Sequence, residues 1–309
     1  MSSNEQQKVP LMVIGGFLGA GKTTYLNELI RSGIPENALI VINDFGDINI
    51  DAELIEYRDE RMVKLNNGCI CCTLGGTLAD QLAKAMRLHD RPEAVFIETS
   101  GVANPARIAD IARISARLEL AEVICLVDAS QARRHQVDPF TGETWHAQIS
   151  AATRILLNRL PSKDSPEVAQ LMALFRRLNP TARIENTDKV ASALASELPR
   201  PRTVKDRQPP YHIPVSQGNW QSVSLPMTVP VDPQRLQSLL LEYRDVLLRA
   251  KGFLYRQDRT HRQLLQLSGG RVSWFPAKAR AGRIQLVCIG RAGSRFNALI
   301  DSLREMDKV

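Results

Sequence analysis

Residues 16–23 read G-F-L-G-A-G-K-T, a full match to the pattern G-x-x-x-x-G-K-[ST]. The glycines of this pattern let backbone N–H groups close around phosphate oxygens, and the following helix adds its positive N-terminus. Lys22 is expected to reach the β- and γ-phosphates of a nucleotide, and the Thr23 hydroxyl to ligate Mg²⁺. The residues expected to line the phosphate site are Gly16, Gly19, Ala20, Gly21, Lys22, Thr23 and Thr24.

A second candidate for this site follows the apolar run at residues 94–97, which is typical of a buried strand. Glu98 comes directly after this run, in the segment E-T-S-G. An acid at the carboxyl end of a parallel strand beside the P-loop strand points into the phosphate crevice. Glu98 is therefore expected to hold a Mg²⁺-bound water or to orient the attacking one. Gly101 would let the backbone move when the γ-phosphate leaves.

The residues expected to recognise the base are less regular. The run L-L-N-R, residues 156–159, looks like the strand end that carries Asn-Lys-x-Asp in GTPases, so Asn158 is the candidate base-binding residue. The aspartate that accepts the guanine N1 and N2 protons is replaced by Pro161. Asp164 is a candidate substitute, and Arg159 can still pack its aliphatic stem on the base.

Three cysteines fall within four residues: Cys69, Cys71 and Cys72. They follow a short strand directly, so we expect them in a turn at the same crevice edge as the phosphates. Three close thiolates suit Zn²⁺, with Cu(I) or Co²⁺ as alternatives, whereas structural zinc sites use paired CxxC motifs far apart. The spacing indicates a metal-transfer site, with a redox centre as the second interpretation. Cys125 and Cys288 stand in apolar runs and are expected to be buried core thiols.

An acidic loop, I-N-D-F-G-D-I-N-I-D at residues 42–51, lies between the P-loop helix and the cysteines. In a P-loop protein this is the place for a switch that senses the γ-phosphate and Mg²⁺. Asp44 and Asp47 are candidates to ligate a metal beside the cysteines, to orient the hydrolytic water, or only to solvate the loop. We take Asp47 as a catalytic candidate together with Lys22 and Glu98.

These candidate residues need a sheet that brings strand ends together. From residue 10 to about residue 198, short apolar runs alternate with amphipathic helical stretches, which predicts a doubly wound, mainly parallel α/β sheet. The predicted strands are residues 11–16, 38–44, 62–67, 94–100, 122–128 and 153–158. Most lack strict alternation, as expected for strands covered by helices on both faces.

A stretch rich in proline, arginine and lysine at residues 198–215 is read as a linker. Beyond it we predict a strand, a helix over 233–250, two or three strands, another strand and a final helix over 296–306. This order indicates a small α+β domain of ferredoxin-like type. The predicted domains are a P-loop domain at 8–198, a linker at 199–217 and a C-terminal domain at 218–309.

The composition, with 44% hydrophobic and 24% charged residues among 309, is that of a soluble globular protein. Residues 1–8 are polar and no stretch approaches a membrane span, so we expect a cytoplasmic protein without membrane contact. The net charge of +7 is uneven, at −4 in residues 1–199 and +11 in residues 200–309. The basic part is read as a solvated arginine-rich surface, with an acidic protein or a nucleic acid as its alternative partners.

Taken together, five segments resemble the CobW-like family of GTPases, relatives of the urease- and hydrogenase-maturation GTPases. They are GGFLGAGKTT, NDFGD, NNGCICC, ETSG and the C-terminal KGFLYRQDR…SGGRVSWFP. The resemblance implies a doubly wound P-loop domain, GTP hydrolysis to GDP with Mg²⁺, and zinc or another transition metal at the C-x-C-C motif. It also implies that nucleotide state and metal binding control each other and that the metal goes to a client metalloprotein.

The sequence departs from the family pattern twice. Many relatives read N-E-F-G-E in the acidic loop, whereas both acids here are aspartates, Asp44 and Asp47. The base-reading motif has Pro161 in place of its aspartate. The first hypothesis is thus a metal-responsive GTPase, with an ATP-dependent P-loop enzyme as the second. A nucleic-acid-associated regulator that uses the basic C-terminal part is the third, and a homo-oligomer is left open.

Overall fold

The computed structural model describes residues 8–43, 62–65, 76–87, 91–160, 166–187, 220–268, 270–277 and 284–308. The described residues divide into two compact units, one ending at residue 187 and the other beginning at residue 220. The linker predicted at 199–217 lies outside the described residues. None of the described helices has the length and apolar character needed to span a membrane.

The first unit is built on a seven-stranded sheet with the order β3-β2-β4-β1-β5-β6-β7. Its strands are β1 Val9–Gly16, β2 Ala38–Asn43, β3 Met62–Leu65, β4 Ala94–Glu98, β5 Leu118–Asp128, β6 Arg154–Asn158 and β7 Arg183–Asn186. All neighbouring strands are parallel. The predicted mainly parallel α/β sheet is confirmed, and so are its six predicted strands. β7 was not predicted.

Helices connect these strands. They are α1 Lys22–Gly33, α2 Gly76–Ala85, α3 Pro105–Ile114, α4 Ala132–Val137, α5 Gly142–Ala151 and α6 Pro166–Leu178. The chain steps from β1 to β2 in one direction across the sheet and from β4 to β5 in the other. Because such crossovers are right-handed, α1 and α3 lie on opposite faces, and the order reverses at the carboxyl end of β1. This edge is where an α/β sheet of this kind binds ligands.

Both faces of the central strands are buried, which explains why their sequences lack alternation. On one face Leu11, Val13 and Val95 pack with Leu78 of α2 and Ile108 of α3. The alternate positions, which face α1, are buried as well. A strand covered on both sides gains stability from every apolar residue it carries, and this continuous apolar character made the strands recognisable in the sequence.

The second unit is a five-stranded antiparallel sheet with the order β11-β10-β9-β12-β8. Its elements are β8 Trp220–Pro226, α7 Pro233–Glu242, β9 Leu247–Leu254, β10 Gln263–Ser268, β11 Arg271–Pro276, β12 Gln285–Arg291 and α8 Ser294–Met306. β12 lies between β8 and β9 and runs antiparallel to both, so β8, α7 and β9 form the split β-α-β unit of ferredoxin-like folds. The predicted small α+β domain is confirmed.

One helix boundary in this unit was predicted wrongly. The helix predicted over 233–250 ends at Glu242, and β9 begins five residues later at Leu247. The chain turns at Tyr243, whose carbonyl accepts from the backbone N–H groups of Val246 and Leu247 at 3.0 and 2.7 Å. Leu247 and the residues after it then pair with β12, so long-range strand pairing overrides the helical spacing of the apolar residues.

Candidate nucleotide site

The predicted P-loop connects the end of β1 to the start of α1. Gly16, Gly19 and Gly21 all have positive φ angles, of 129°, 77° and 95°. At Gly16 a Cβ atom would lie 2.3 Å from the Leu126 carbonyl oxygen of β5, so both the backbone angle and the close approach require glycine. Among the described residues no side chain caps the N-terminus of α1. The loop therefore presents a helix N-terminus at the reversal point of the sheet.

Lys22 and Thr23, the first residues of α1, carry two of the side chains predicted to bind nucleotide and Mg²⁺. Lys22 is 6% exposed, and its Nζ donates to the carbonyl oxygens of Gly16 at 2.9 Å and Phe17 at 3.1 Å. The Thr23 hydroxyl donates to Glu98 Oε1 at 2.8 Å. Glu98 ends β4 opposite Ile14 of β1 and is 2% exposed. The structure thus brings together three of the predicted residues, Lys22, Thr23 and Glu98, which we call the P-loop cluster.

A second group of polar residues ends the two strands on the other side of β1. Asn158 ends β6, and its Nδ2 donates to the Ala20 carbonyl of the P-loop. Its Oδ1 is buried and accepts no hydrogen bond from the described residues. Arg159 follows with a positive φ of 50°, and its Nη1 lies 3.4 Å from the Gly19 carbonyl oxygen. The same Nη1 forms an ion pair with Asp128, which ends β5.

Asp128, Asn158 and Arg159 form what we call the strand-end cluster. Asp128 pairs in register with Asn158, so both side chains belong to the same edge of the sheet as Glu98. Asp128 also accepts from the backbone N–H and the hydroxyl of Ser130 at 3.0 and 2.6 Å. Sequence reasoning identified Asn158 but missed Asp128, although an acid after the buried run of β5 was available as a signal. Pro161 and the candidate Asp164 lie outside the described residues.

The backbone that follows Glu98 packs directly on the P-loop. A Cβ atom on Gly101 would lie 2.7 Å from the backbone nitrogen of Leu18. The carbonyl oxygens of Gly101 and Ala103 accept hydrogen bonds from Gln148 Nε2 of α5, at 3.0 and 2.9 Å. Gln148 was not a sequence candidate, and a lone glutamine inside a helix gave no local signal for this role.

His135 supports the P-loop from the other side. Its ring lies 4.5 Å from the ring of Phe17, between centroids, and its Nδ1 is 3.0 Å from the Thr141 hydroxyl oxygen. Burial, helped by the nearby Arg134, lowers the pKa of His135 to about 4. The imidazole is therefore neutral at pH 7 and serves as a packing residue.

The predicted core thiols are buried. Cys125 and Cys288 are 1% and 0% exposed, and burial raises the pKa of each thiol to about 12. Both thiols are thus protonated at neutral pH and unsuited to metal binding. The predicted metal residues Cys69, Cys71, Cys72, Asp44 and Asp47 lie outside the described residues. In the parts of the chain that the structure describes, no group of three or more acidic, histidine or cysteine side chains is placed to hold a metal ion.

The strand ends that precede these segments are described. β2 ends at Asn43 and β3 at Leu65, and these two residues pair in register. Ile42 of β2 also pairs with Glu98 of β4. β2 and β3, the strands that precede the acidic loop and the cysteines in the chain, therefore end side by side at the edge that carries the P-loop cluster.

A parallel sheet whose strand order reverses beside a glycine-rich loop of the G-x-x-x-x-G-K-[ST] pattern defines a nucleotide-binding domain of the P-loop class. Within this class the chain belongs to the CobW/HypB/UreG family, whose nucleotide-binding domain matches residues 10–186. The C-terminal domain of the cobalamin synthesis protein CobW matches residues 220–306. The resemblance drawn from the five sequence segments is confirmed.

Individual relatives are similar over most of the chain. The zinc chaperone YjiA of Escherichia coli is 29% identical over 274 residues, which cover 84% of this chain and 85% of that protein. The zinc chaperone CobW of Pseudomonas aeruginosa is 26% identical over 337 residues, covering 92% and 88%. The crystal structure of Zn(II)-bound YjiA GTPase from Escherichia coli has 24% identity and a TM-score of 0.39, covering 97% of this chain and 100% of that one. A TM-score this low adds nothing to the family assignment.

Proposed function

We propose that this protein hydrolyses GTP and uses the nucleotide state to control delivery of a transition metal, zinc in the first place, to a client metalloprotein. The observation that carries the nucleotide half is the P-loop cluster, in which Lys22, Thr23 and Glu98 meet at the reversal point of the sheet. The metal half rests on Cys69, Cys71 and Cys72 and on relatives that are named zinc chaperones.

The residues of the P-loop cluster fit Mg²⁺ and triphosphate. The Thr23 hydroxyl and the Glu98 carboxylate are hard oxygen donors 2.8 Å apart, which is the donor chemistry that Mg²⁺ takes, directly or through water. When bound, Mg²⁺ would neutralise charge on the β- and γ-phosphates. Lys22 would donate to phosphate oxygens, and the backbone N–H groups at the start of α1 would donate to the remaining ones. Glu98 would orient the attacking water, together with Asp47 of the acidic loop.

Guanine preference is assigned to the strand-end cluster. Asn158 offers an amide beside the P-loop, with its Oδ1 not engaged by the described residues. Arg159, held by Asp128, is the side chain whose stem can lie against the base. Because Pro161 replaces the usual aspartate, competition between GTP and ATP belongs in any test of this function.

Coupling between nucleotide and metal is assigned to the segments that leave β2 and β3. Ile42, at the start of the acidic segment, pairs with Glu98, and β3, the strand that precedes the cysteines in the chain, pairs with β2. A loop ordered by the γ-phosphate would therefore also change the surroundings of the three thiolates. We assign the protein to the cytoplasm, where thiolates stay reduced and available for metal transfer.

The test is hydrolysis of GTP and of ATP by the metal-stripped full chain with Mg²⁺, with and without stoichiometric Zn²⁺. The variant is Cys71→Ser, and the matched control is Cys288→Ala, which removes a buried thiol from the second unit. We expect a preference for GTP and a zinc effect on the rate that Cys71→Ser abolishes and Cys288→Ala retains. A preference for ATP would contradict the GTPase half, and a rate that zinc does not change would contradict the metal half; either result reduces the proposal to an unspecified P-loop nucleotide hydrolase.

A further inference from the structure

Gln148 is a polar side chain in the core of the first unit that none of the sequence motifs explains. It lies in α5, is 0% exposed, and donates from Nε2 to the carbonyl oxygens of Gly101 and Ala103 at 3.0 and 2.9 Å. Carbonyl oxygens only accept, so the amide must face them with its NH₂ group. The orientation of Gln148 is thus determined by its two partners.

The segment that Gln148 holds is the backbone between Glu98 and α3. Thr99 N donates to the Ile14 carbonyl of β1 at 2.9 Å, which fixes the beginning of the segment. Asn104 caps α3 by accepting from Ala106 N at 3.0 Å, which fixes its end. Gln148 supplies the donor for carbonyl groups between these two anchors.

The held segment touches the P-loop itself. Atoms of Leu18 would lie 2.5 to 2.8 Å from a Cβ atom on Gly101, so the two backbones are in direct contact there. Any shift of Gly101 must therefore move it against or away from the P-loop. Through this contact, the hydrogen bonds of Gln148 set the distance between the backbone that follows Glu98 and the loop that carries Lys22.

We propose that Gln148 is a positioning residue for nucleotide hydrolysis: it holds residues 101–103 against the P-loop and so sets how the site responds to the γ-phosphate. The inference rests on the proposed function. Backbone that follows the acid of a nucleotide switch is ordered by the γ-phosphate and released when it leaves. Loss of these hydrogen bonds should therefore weaken binding of the triphosphate more than binding of the diphosphate. The affinities for a GTP analogue and for GDP measure the two effects separately.

The test compares Gln148→Met with the wild-type full chain in the presence of Mg²⁺. Methionine has the length of glutamine but no donor, so it fills the space and leaves two buried carbonyl groups without their partner. We expect kcat for GTP and the affinity for a non-hydrolysable GTP analogue each to fall about tenfold, with GDP affinity within about twofold of wild type. Gln170→Met, an exposed change on α6, is the matched control.

Gln148→Glu provides a readout that loss of packing would not move. A protonated carboxyl group can still donate one hydrogen bond to a carbonyl oxygen, whereas a carboxylate has no donor and repels both carbonyl oxygens. The ratio of variant to wild-type kcat should therefore fall as pH rises, while the ratio for Gln148→Met stays flat. This pH profile also decides the matter if Gln148→Met does not fold.

Four results would overturn the proposal. If Gln148→Met keeps wild-type kcat and GTP affinity, the clamp has no role in hydrolysis. If GTP and GDP affinities fall equally, or if the ratio for Gln148→Glu is independent of pH, Gln148 supports the fold and not the response to the γ-phosphate. If the wild-type chain binds neither nucleotide, the proposed function and this inference fail together.

Discussion

The P-loop cluster and the strand-end cluster lie at the same edge of the sheet but in very different surroundings. Lys22 and Glu98 are 6% and 2% exposed, and Gln148, which supports the neighbouring backbone, is 0% exposed. In the strand-end cluster the Arg159 side chain is 52% exposed, although its partner Asp128 is only 13% exposed. One cluster is held inside the core, whereas the other carries a cation in contact with solvent.

This difference in exposure predicts that the two clusters contribute to different quantities, one to kcat and the other to nucleotide affinity. Groups that are buried and fixed before the nucleotide arrives need little reorganisation during the reaction, so their removal should lower kcat. An exposed arginine is screened by water and samples several rotamers, so its ion pair contributes little energy. Changes in the strand-end cluster should therefore appear in nucleotide affinity and leave kcat alone.

The largest effect is expected for Glu98→Gln. Glutamine has the same shape and can still accept from the Thr23 hydroxyl, so the change removes only the negative charge. We expect kcat for GTP to fall about 100-fold, and the Mg²⁺ concentration for half-maximal activity to rise 10- to 100-fold, by order of magnitude. Steady-state phosphate release with a Mg²⁺ titration measures both.

The control for this change is Asp110→Asn, which neutralises an exposed carboxylate that pairs with Arg113 on α3. Its kcat should stay within about twofold of wild type because exposed pairs contribute little. If Glu98→Gln behaves like this control, the P-loop cluster does not carry the reaction, and the contrast between the two clusters disappears.

A smaller effect is expected in the pH dependence of the free energy of unfolding, through the imidazole ring of His135. The pKa of His135 is lowered from 6.5 to about 4, so between these values the unfolded chain binds a proton that the native chain does not. The contribution of His135 to the free energy of unfolding is therefore fully present above pH 6.5 and is lost as pH falls towards 4. From pH 7 to pH 5 the free energy of unfolding should fall by about 2 kcal/mol through His135 alone.

Urea denaturation of the wild type and of His135→Gln at both pH values isolates this contribution. The variant should lack the loss of about 2 kcal/mol between pH 7 and pH 5, because glutamine does not titrate. His261→Gln, an exposed change in the second unit, is the control and should keep the wild-type pH dependence. Equal pH dependence in the wild type and in His135→Gln would show that His135 is solvated rather than packed on Phe17.

The comparison also shows what the sequence could predict. Lys22 and Thr23 stand in a local pattern whose spacing alone defines the P-loop, and Glu98 follows a run of apolar residues typical of a strand buried on both faces. The residues that were missed act across long sequence separations. Gln148 bonds to a carbonyl 47 residues away, and Asp128 pairs with an arginine 31 residues away. No local pattern distinguishes Gln148 from an ordinary polar side chain, whereas Asp128 follows a buried apolar run as Glu98 does.

The two errors in secondary structure have the same cause. β7 reads R-I-E-N, with a single apolar residue, and is a strand because its backbone pairs with β6. The segment after Glu242 keeps apolar residues at helical spacing, yet Leu247 and the following residues pair with β12 about 40 residues later. In both places the deciding energy comes from a partner strand. The cysteine site remains a prediction, based on the spacing of the three cysteines and on the family resemblance.

The smallest effect is expected for Asp128→Asn in the strand-end cluster. Asparagine can still accept from Ser130 through Oδ1, so the change removes the charge beside Arg159 and keeps the local turn. Because Arg159 is half exposed, we expect KM for GTP and Kd for GDP to rise together, by about threefold, with kcat unchanged. Asp245→Asn, which removes the charge beside Arg295, an arginine of the second unit as exposed as Arg159, should change neither. A fall in kcat at constant KM would mean that Asp128 acts on the phosphates. A loss of GTP affinity alone would mean that Asp128 acts on the triphosphate state, as is proposed for Gln148. Either result would remove the distinction between the two clusters.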